Sequence, residues 1–277
     1  MTAPANLLMP NGKPWSSSAV DLYERCPLAF SLRHGPRPAG APAPADTDSD
    51  PQRRGRVLHA GLQAALEHAR IELDRTRAPI PGTLRRYHAP ARKALGKAWE
   101  AERMPSDPAL AAQVVEMFER ALDDVAIPLP GALHGIERRY THITRGGYPV
   151  VFGPDVTWWV DRRRGVLRVT DFKSSKVDPA DVPRHPQLLR YAGWLSEMDP
   201  TIRAVEIELY ALREGRGHVA LADPAKIARA VARFDRIVGQ ALTAPPPPVP
   251  KVGPHCTACR YATGCPALAA RRDGAAA

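Results

Sequence analysis

Asp171-Phe172-Lys173 closes the run VLRVTDFK, and in an extended strand residues two apart share one face. A carboxylate and an ammonium therefore project from a single spot, while Phe172 points into the opposite layer. Asp155 stands 16 residues earlier, near the end of another predicted strand, and a hairpin through Arg163-Arg164-Gly165 brings it beside Asp171. Two carboxylates that converge with only Lys173 as partner are costly unless a divalent cation sits between them. Hard oxygen ligands favour Mg²⁺ or Mn²⁺. The chemistry such a group supports is metal-assisted phosphodiester hydrolysis: the ion polarises the phosphate and acidifies water while Lys173 orients or activates the nucleophile. The plainer alternative is an edge-strand ion pair, with Asp155 a turn residue.

Other residues gain meaning beside that group. His59, on the amphipathic segment GRVLHAGLQAALEHA, is by itself a partly buried histidine, but an imidazole is a good third ligand for a site that accepts Mn²⁺. Gln187 and Tyr191 are four apart and share a face of the helix that follows the DFK strand. A Gln amide there can hold a phosphate or a metal-bound water, and a Tyr ring can stack on a base; the alternative is a solvated Gln and a core Tyr. Cys256, Cys259 and Cys265 supply three thiolates within ten residues, and Cys26 is the one cysteine left to complete a four-thiolate site. Such a site holds either a 4Fe-4S cluster or Zn²⁺, and His255 beside it could also serve Zn²⁺.

The elements that must position these groups follow from periodicity. Ser18 with Asp21 marks the start of a short helix stopped by Pro27. Residues 33–53, rich in Pro, Ala and Asp, read as a flexible linker or loop. Helical patterns run from Gly55 to Ile71, near 89–103 and over 108–125, so the first half is mostly helical. From His134 to Ala211 the period changes to β, in the runs IERRYTHI, YPVVFGPDVTWWV, VLRVTDFK and IRAVEIELYAL. A helix over 183–198 makes a strand-helix-strand crossover, and a helix over 224–242 leads through a proline tract to the cysteine cluster of 251–270.

Composition bounds the function. The chain has 277 residues, a formal charge of +10 and 44% hydrophobic content, which fits one large folded domain or two small ones and favours a polyanionic partner such as DNA. No stretch approaches the roughly 18 apolar residues of a membrane span, and the start lacks signal-peptide features, so a soluble, cytoplasmic chain with no membrane partner is expected. In a reducing compartment the four cysteines are better read as ligands than as disulfides. No G-x-x-x-x-G-K-[ST], G-x-S-x-G or H-E-x-x-H occurs, which removes motor, acyl-transfer and zinc-protease readings.

Taken in order, Ser16-Ser17-Ser18, Tyr23-x2-Cys26-Pro27, Gly55-x3-His59, Asp155, Asp171-Phe172-Lys173, Gln187-x3-Tyr191 and Cys-x2-Cys-x5-Cys resemble the PD-(D/E)XK nuclease superfamily. More narrowly the set resembles its RecB-like iron-sulfur branch, which includes the AddB nuclease domain and a CRISPR-associated exonuclease. The resemblance implies an α/β fold with a mixed central sheet flanked by helices, a restriction-endonuclease-like core. One nuclease domain over 1–277 is implied, its N- and C-terminal segments joined by a 4Fe-4S cluster on Cys26, Cys256, Cys259 and Cys265. It implies a Mg²⁺ or Mn²⁺ site of His59, Asp155, Asp171 and the Phe172 carbonyl, with Lys173 catalytic and Gln187 and Tyr191 positioning substrate. The implied activity is DNA hydrolysis from single-stranded or open ends in repair, recombination or CRISPR adaptation, with a separate helicase as partner. In the family the first aspartate is usually continued by a basic residue and a second acid, whereas Val-Thr-Trp-Trp follows Asp155 here. The competing class is a non-catalytic nucleic-acid-binding protein with a structural four-cysteine zinc site.

Overall fold

The computed structural model describes residues 7–36 and 50–269. These fall into two compact units, drawn from the described parts of Asp48–Arg139 with Gly153–Ala228, and of Met1–Thr47 with Tyr140–Phe152 and Arg229–Ala277. The strands are β1 Leu133–Ile136, β2 Tyr140–Ile143, β3 Pro149–Phe152, β4 Val156–Asp161, β5 Val166–Lys173, β6 Ala204–Ala211 and β7 Arg216–Leu221. The α-helices are α1 Ser17–Arg25, α2 Pro27–His34, α3 Asp50–Thr76, α4 His88–Ala101, α5 Pro108–Asp124, α6 Pro186–Met198 and α7 Pro224–Thr243.

In the larger unit the sheet order is β1-β4-β5-β6-β7. Only β5 and β6 run parallel, in register from Val166 opposite Ala204 to Lys173 opposite Ala211; the other neighbours are antiparallel. A parallel pair needs a long crossover, and α6 supplies it, with Pro186 in its first turn where the missing N–H costs nothing. Strand β5 is apolar at Leu167 and Val169 on one face and carries Phe172 on the other, because both faces are covered. On the Phe172 side lies a helical layer. Leu58, Leu62, Leu66, Ala69 and Leu73 recur at helical spacing along α3 and are buried with Leu95 of α4 and Val114, Phe118 and Leu122 of α5. Phe172, Val156 and Tyr210 of the sheet join the same core. Gly61 lets α3 approach α5, since a Cβ there would lie 2.7 Å from the Phe118 ring. Asp107 caps α5 by accepting from the Ala109 and Leu110 amides.

In the smaller unit β2 and β3 form a hairpin, and Trp15 extends it by a parallel bridge to Val150. Trp15 is fully buried and stacks on Phe30 at 5.4 Å. Chain-distant segments meet here: the Lys251 ammonium donates to the Glu24 carbonyl at 2.9 Å, and Arg233 pairs with Glu24 at 2.8 Å.

Several boundaries differ from expectation for physical reasons. The α1 cap is Ser16, which accepts from the Ala19 amide, and not Ser18; Pro27 ends α1 and also opens α2. Of the expected 33–53 loop, Arg33 and His34 belong to α2 and 50–53 begin α3, while 37–49 lie outside the described residues. The run YPVVFGPDVTWWV is two strands, interrupted at Gly153-Pro154-Asp155, so Asp155 precedes β4 and does not close a strand. IERRYTHI likewise divides between β1 and β2, which lie in different sheets, and β7 was not foreseen.

The β4–β5 turn depends on Gly165, whose φ of +69° is costly for a side chain and whose Cβ would lie 2.3 Å from the Thr201 carbonyl oxygen. Gly165→Ala should destabilise the protein by about 2 kcal/mol. Thermal melting reads this directly, and an unchanged midpoint would show that the turn relaxes freely.

Candidate active site

The C-terminal end of β5 gathers the groups that the sequence singles out. Val156 pairs with Thr170, so one step further along the antiparallel register Asp155 lies opposite Asp171. Asp155 Oδ2 accepts the Phe172 backbone N–H at 2.6 Å, which fixes the carboxylate against the strand. His59 comes from α3. Its Nε2 lies 3.0 Å from the Phe172 carbonyl, its Nδ1 3.4 Å from Asp155 Oδ1, and its ring stands edge-on to Phe172 at 6.1 Å. Phe172 is thus the pivot: its ring anchors the helical layer while its backbone holds both ligand candidates.

Alternation along β5 places Asp171 and Lys173 together, with Lys173 Nζ 2.5 Å from Asp171 Oδ2. Asp171 is buried and Lys173 about one-third exposed, so the ammonium borders solvent while the carboxylate does not. On α6 the Gln187 amide donates to the Tyr191 hydroxyl at 2.7 Å. Burial lifts the Tyr191 phenol to about 12, opposed by the Gln187 hydrogen bond and reinforced by the charges of Asp171 and Asp155, which ties this helix face to the same end of β5.

One residue escaped the sequence reading. Glu137, just after β1, brings a carboxylate oxygen to 3.5 Å from His59 Nδ1 and donates its backbone N–H to the Asp155 carbonyl at 2.8 Å. Its φ of +46° is unusual for a residue with a side chain, and such conformations gather at functional sites. Nothing in the linear pattern separated it from the β-rich run IERRYTHI. Ligand atoms of His59, Glu137 and Asp155 all lie within 4.8 Å of one another.

Electrostatics reflect the crowding. Burial pushes the Asp155 carboxyl up, and the charge of Asp171 adds to this; His59 opposes both, leaving it at about 6. Burial alone would lower the His59 imidazole, but its hydrogen bonds to the Asp155 and Glu137 carboxylates outweigh it and lift it to about 11. Asp171 Oδ2 is buried and has no hydrogen-bond donor, only the Lys173 ion pair. Oxygen ligands and one imidazole, with a buried carboxylate oxygen held by the Lys173 ammonium, suit Mg²⁺ or Mn²⁺.

In the smaller unit Cys26, Cys256, Cys259 and Cys265 are all free thiols and line one cavity of about 20 Å³. Residues 230 positions apart in the chain thus meet, with Leu28, Ala29, Leu32 and Tyr261 as an apolar wall. His255 also lines it, but its Nε2 lies 3.0 Å from the Lys251 carbonyl.

A mixed sheet whose central strand ends in an Asp-x-Lys, faced by a second aspartate and a helix-borne histidine, defines a metal-dependent phosphodiesterase frame. A family model for the PD-(D/E)XK nuclease superfamily matches residues 14–266, and the chain belongs to that superfamily. It is therefore a nuclease, a hydrolase of the class that acts on DNA with Mg²⁺ or Mn²⁺. The solved structure titled "Crystal structure of SSO0001" matches at 15% identity, covering 76% of this chain and 85% of that one, with a TM-score of 0.36. No curated protein matches. Among the described residues no helix is long and apolar enough to cross a membrane.

Proposed function

We propose that this chain is a RecB-like iron-sulfur deoxyribonuclease, one nuclease domain over 1–277, that degrades DNA from single-stranded or open ends. The observation that carries the hydrolytic reading is the meeting of His59, Asp155, Asp171 and Lys173 at one end of β5. In this reading His59, Asp155, Asp171 and the Phe172 carbonyl hold the ion, and Glu137 joins them. Mg²⁺ or Mn²⁺ supplies Lewis acidity at the phosphate and a more acidic water. Asp171 fixes the Lys173 ammonium, which borders solvent and orients the attacking water or stabilises charge on the phosphate oxygens. Asp155, pinned by the Phe172 amide, holds its oxygen in place without rearrangement. Gln187 and Tyr191, joined to each other, position substrate as one unit.

The 4Fe-4S reading is supported by four free thiols around one apolar cavity, a donor set that needs no histidine. Zn²⁺ would use the same sulfurs. Visible absorbance and iron analysis of the purified protein separate the two. Cytoplasmic action in repair, recombination or CRISPR adaptation, beside a separate helicase that opens duplex ends, belongs to the same reading.

Two outcomes follow. With Mn²⁺, linear single-stranded DNA should be degraded and closed circular single strands should survive; equal loss of both would make the enzyme an endonuclease. Glu137→Gln should raise the Mn²⁺ concentration for half-maximal cleavage by about tenfold, the scale seen when a partner of a metal ligand is lost. An unchanged metal requirement would leave Glu137 outside the site.

A further inference from the structure

At the other end of the same strands the chain gathers cations. The turn between β4 and β5 carries Arg162, Arg163 and Arg164 in succession, all exposed. The Arg203 and Ala204 amides donate to the Gly165 carbonyl at 2.9 and 3.2 Å, which brings exposed Arg203 beside the turn. None of these four arginines makes an ion pair among the described residues. Other arginines of this unit are paired: Arg168 with Glu206, Arg85 with Glu119 and Asp123, Arg86 with Glu72. Two acids lie near, each accepting through one oxygen from its own stretch of chain, and Asp199 also feels the charge of Arg162 without an ion-pair contact. Asp161 Oδ1 accepts the Arg164 amide at 3.0 Å, and Asp199 Oδ1 accepts from the Thr201 amide at 2.9 Å and its hydroxyl at 2.6 Å. Arg162 lies over the half-buried Trp159 ring at 6.0 Å, with His134 edge-on to the same ring at 5.8 Å.

Four unpaired guanidiniums on a tight turn repel one another and carry desolvatable donors with no internal acceptor. All four are exposed, and only Arg162 lies against a ring of the sheet. Guanidinium groups recognise phosphate by paired hydrogen bonds, and successive phosphates along a strand can meet successive side chains of the turn. Aromatic and guanidinium planes together also tolerate an unstacked base. We infer that Arg162, Arg163, Arg164 and Arg203 form a second contact for the phosphate backbone of DNA, remote from the catalytic end and independent of base sequence.

The inference rests on the DNA-nuclease reading and adds a length requirement to it. Gly165 precedes β5 and Lys173 closes it, so the arginine turn and the catalytic end are about 26 Å apart at roughly 3.3 Å per residue. At about 3.4 Å per nucleotide of a B-form strand this is about eight nucleotides, and an extended single strand spans it in fewer. Very short DNA cannot reach the turn from the reacting phosphate. Longer DNA can occupy both places, so the turn contributes to KM and leaves kcat alone.

The test compares wild-type protein with the Arg162→Glu/Arg163→Glu/Arg164→Glu variant and with the corresponding Arg→Lys variant. All three positions are exposed, and melting curves confirm the fold. For a single-stranded oligonucleotide of about 30 nucleotides, charge reversal should weaken binding by about tenfold or more. It should also reduce the slope of log affinity against log salt by about 2, at roughly 0.7 per lost phosphate contact. Arg→Lys should keep the slope. In cleavage, charge reversal should raise KM for the long oligonucleotide and leave kcat and short-substrate kinetics unchanged. Unchanged affinity and slope in the reversed variant, with wild-type protein binding tightly, would overturn the second contact while leaving the nuclease reading intact. Wild-type protein that neither binds nor cleaves DNA would overturn both.

Discussion

Lys173→Ala and Asp171→Ala should each lower kcat for DNA cleavage by about 100-fold or more, since charge stabilisation at a reacting phosphate is worth several kcal/mol. Their effects on folding should differ from their effects on rate. Asp171 is buried opposite Asp155, and its charge helps to push the Asp155 carboxyl up to about 6, so the two repel. Removing Asp171 relieves that repulsion, and the melting temperature of Asp171→Ala should hold or rise. Lys173→Ala removes the one cation paired with Asp171 and should lower it. Loss of activity with retained or increased stability is the mark of a residue kept for chemistry. Wild-type cleavage by purified Asp171→Ala protein would remove this site from the account.

The second large effect belongs to Cys26. It is buried against Ala29, Leu32 and Tyr261, and as an apolar side chain alone its loss to alanine would cost about 1 kcal/mol. As the cluster ligand proposed above it would do more, because it would tie the chain's beginning to Cys256, Cys259 and Cys265 across 230 residues. Closing a loop of that length removes much freedom from the unfolded chain, and metal-binding free energy becomes folding free energy. Cys26→Ala should therefore lose most of its bound iron and melt far lower than packing predicts. His59, Asp155, Asp171 and Lys173 keep their chemistry in this variant, so activity should fall only as the fold loosens. Full iron content with an unchanged melting temperature would exclude Cys26 as the fourth ligand.

Much of this arrangement was legible in the chain. Period-two alternation put Asp171 and Lys173 on one face and Phe172 on the other, and hairpin geometry brought Asp155 opposite Asp171. The crossover helix α6 followed from a strand, a helical period and another strand. What was hidden depended on the third dimension. Glu137 lies in a left-handed residue after a short strand, and no spacing rule links it to His59, 78 positions away. The division of YPVVFGPDVTWWV between two sheets is set by Gly153-Pro154, which breaks the ladder although the residues on either side all favour strand. Strand β7 was missed because its exposed edge alternates polar and small residues with only Val219 and Leu221 as large apolar side chains. The sequence supplies four cysteines, enough in number for the proposed four-thiolate site; only the fold brings Cys26 to the cavity that the other three line.

The most direct measurement is cleavage of end-labelled linear DNA by the purified protein with Mn²⁺, with and without excess chelator, beside Lys173→Ala at equal Mn²⁺ loading. Metal-dependent degradation by the wild type, abolished by chelation and by Lys173→Ala while that variant still binds Mn²⁺, is the result predicted here. Cleavage that survives chelation, or equal rates for wild type and Lys173→Ala, would contradict it.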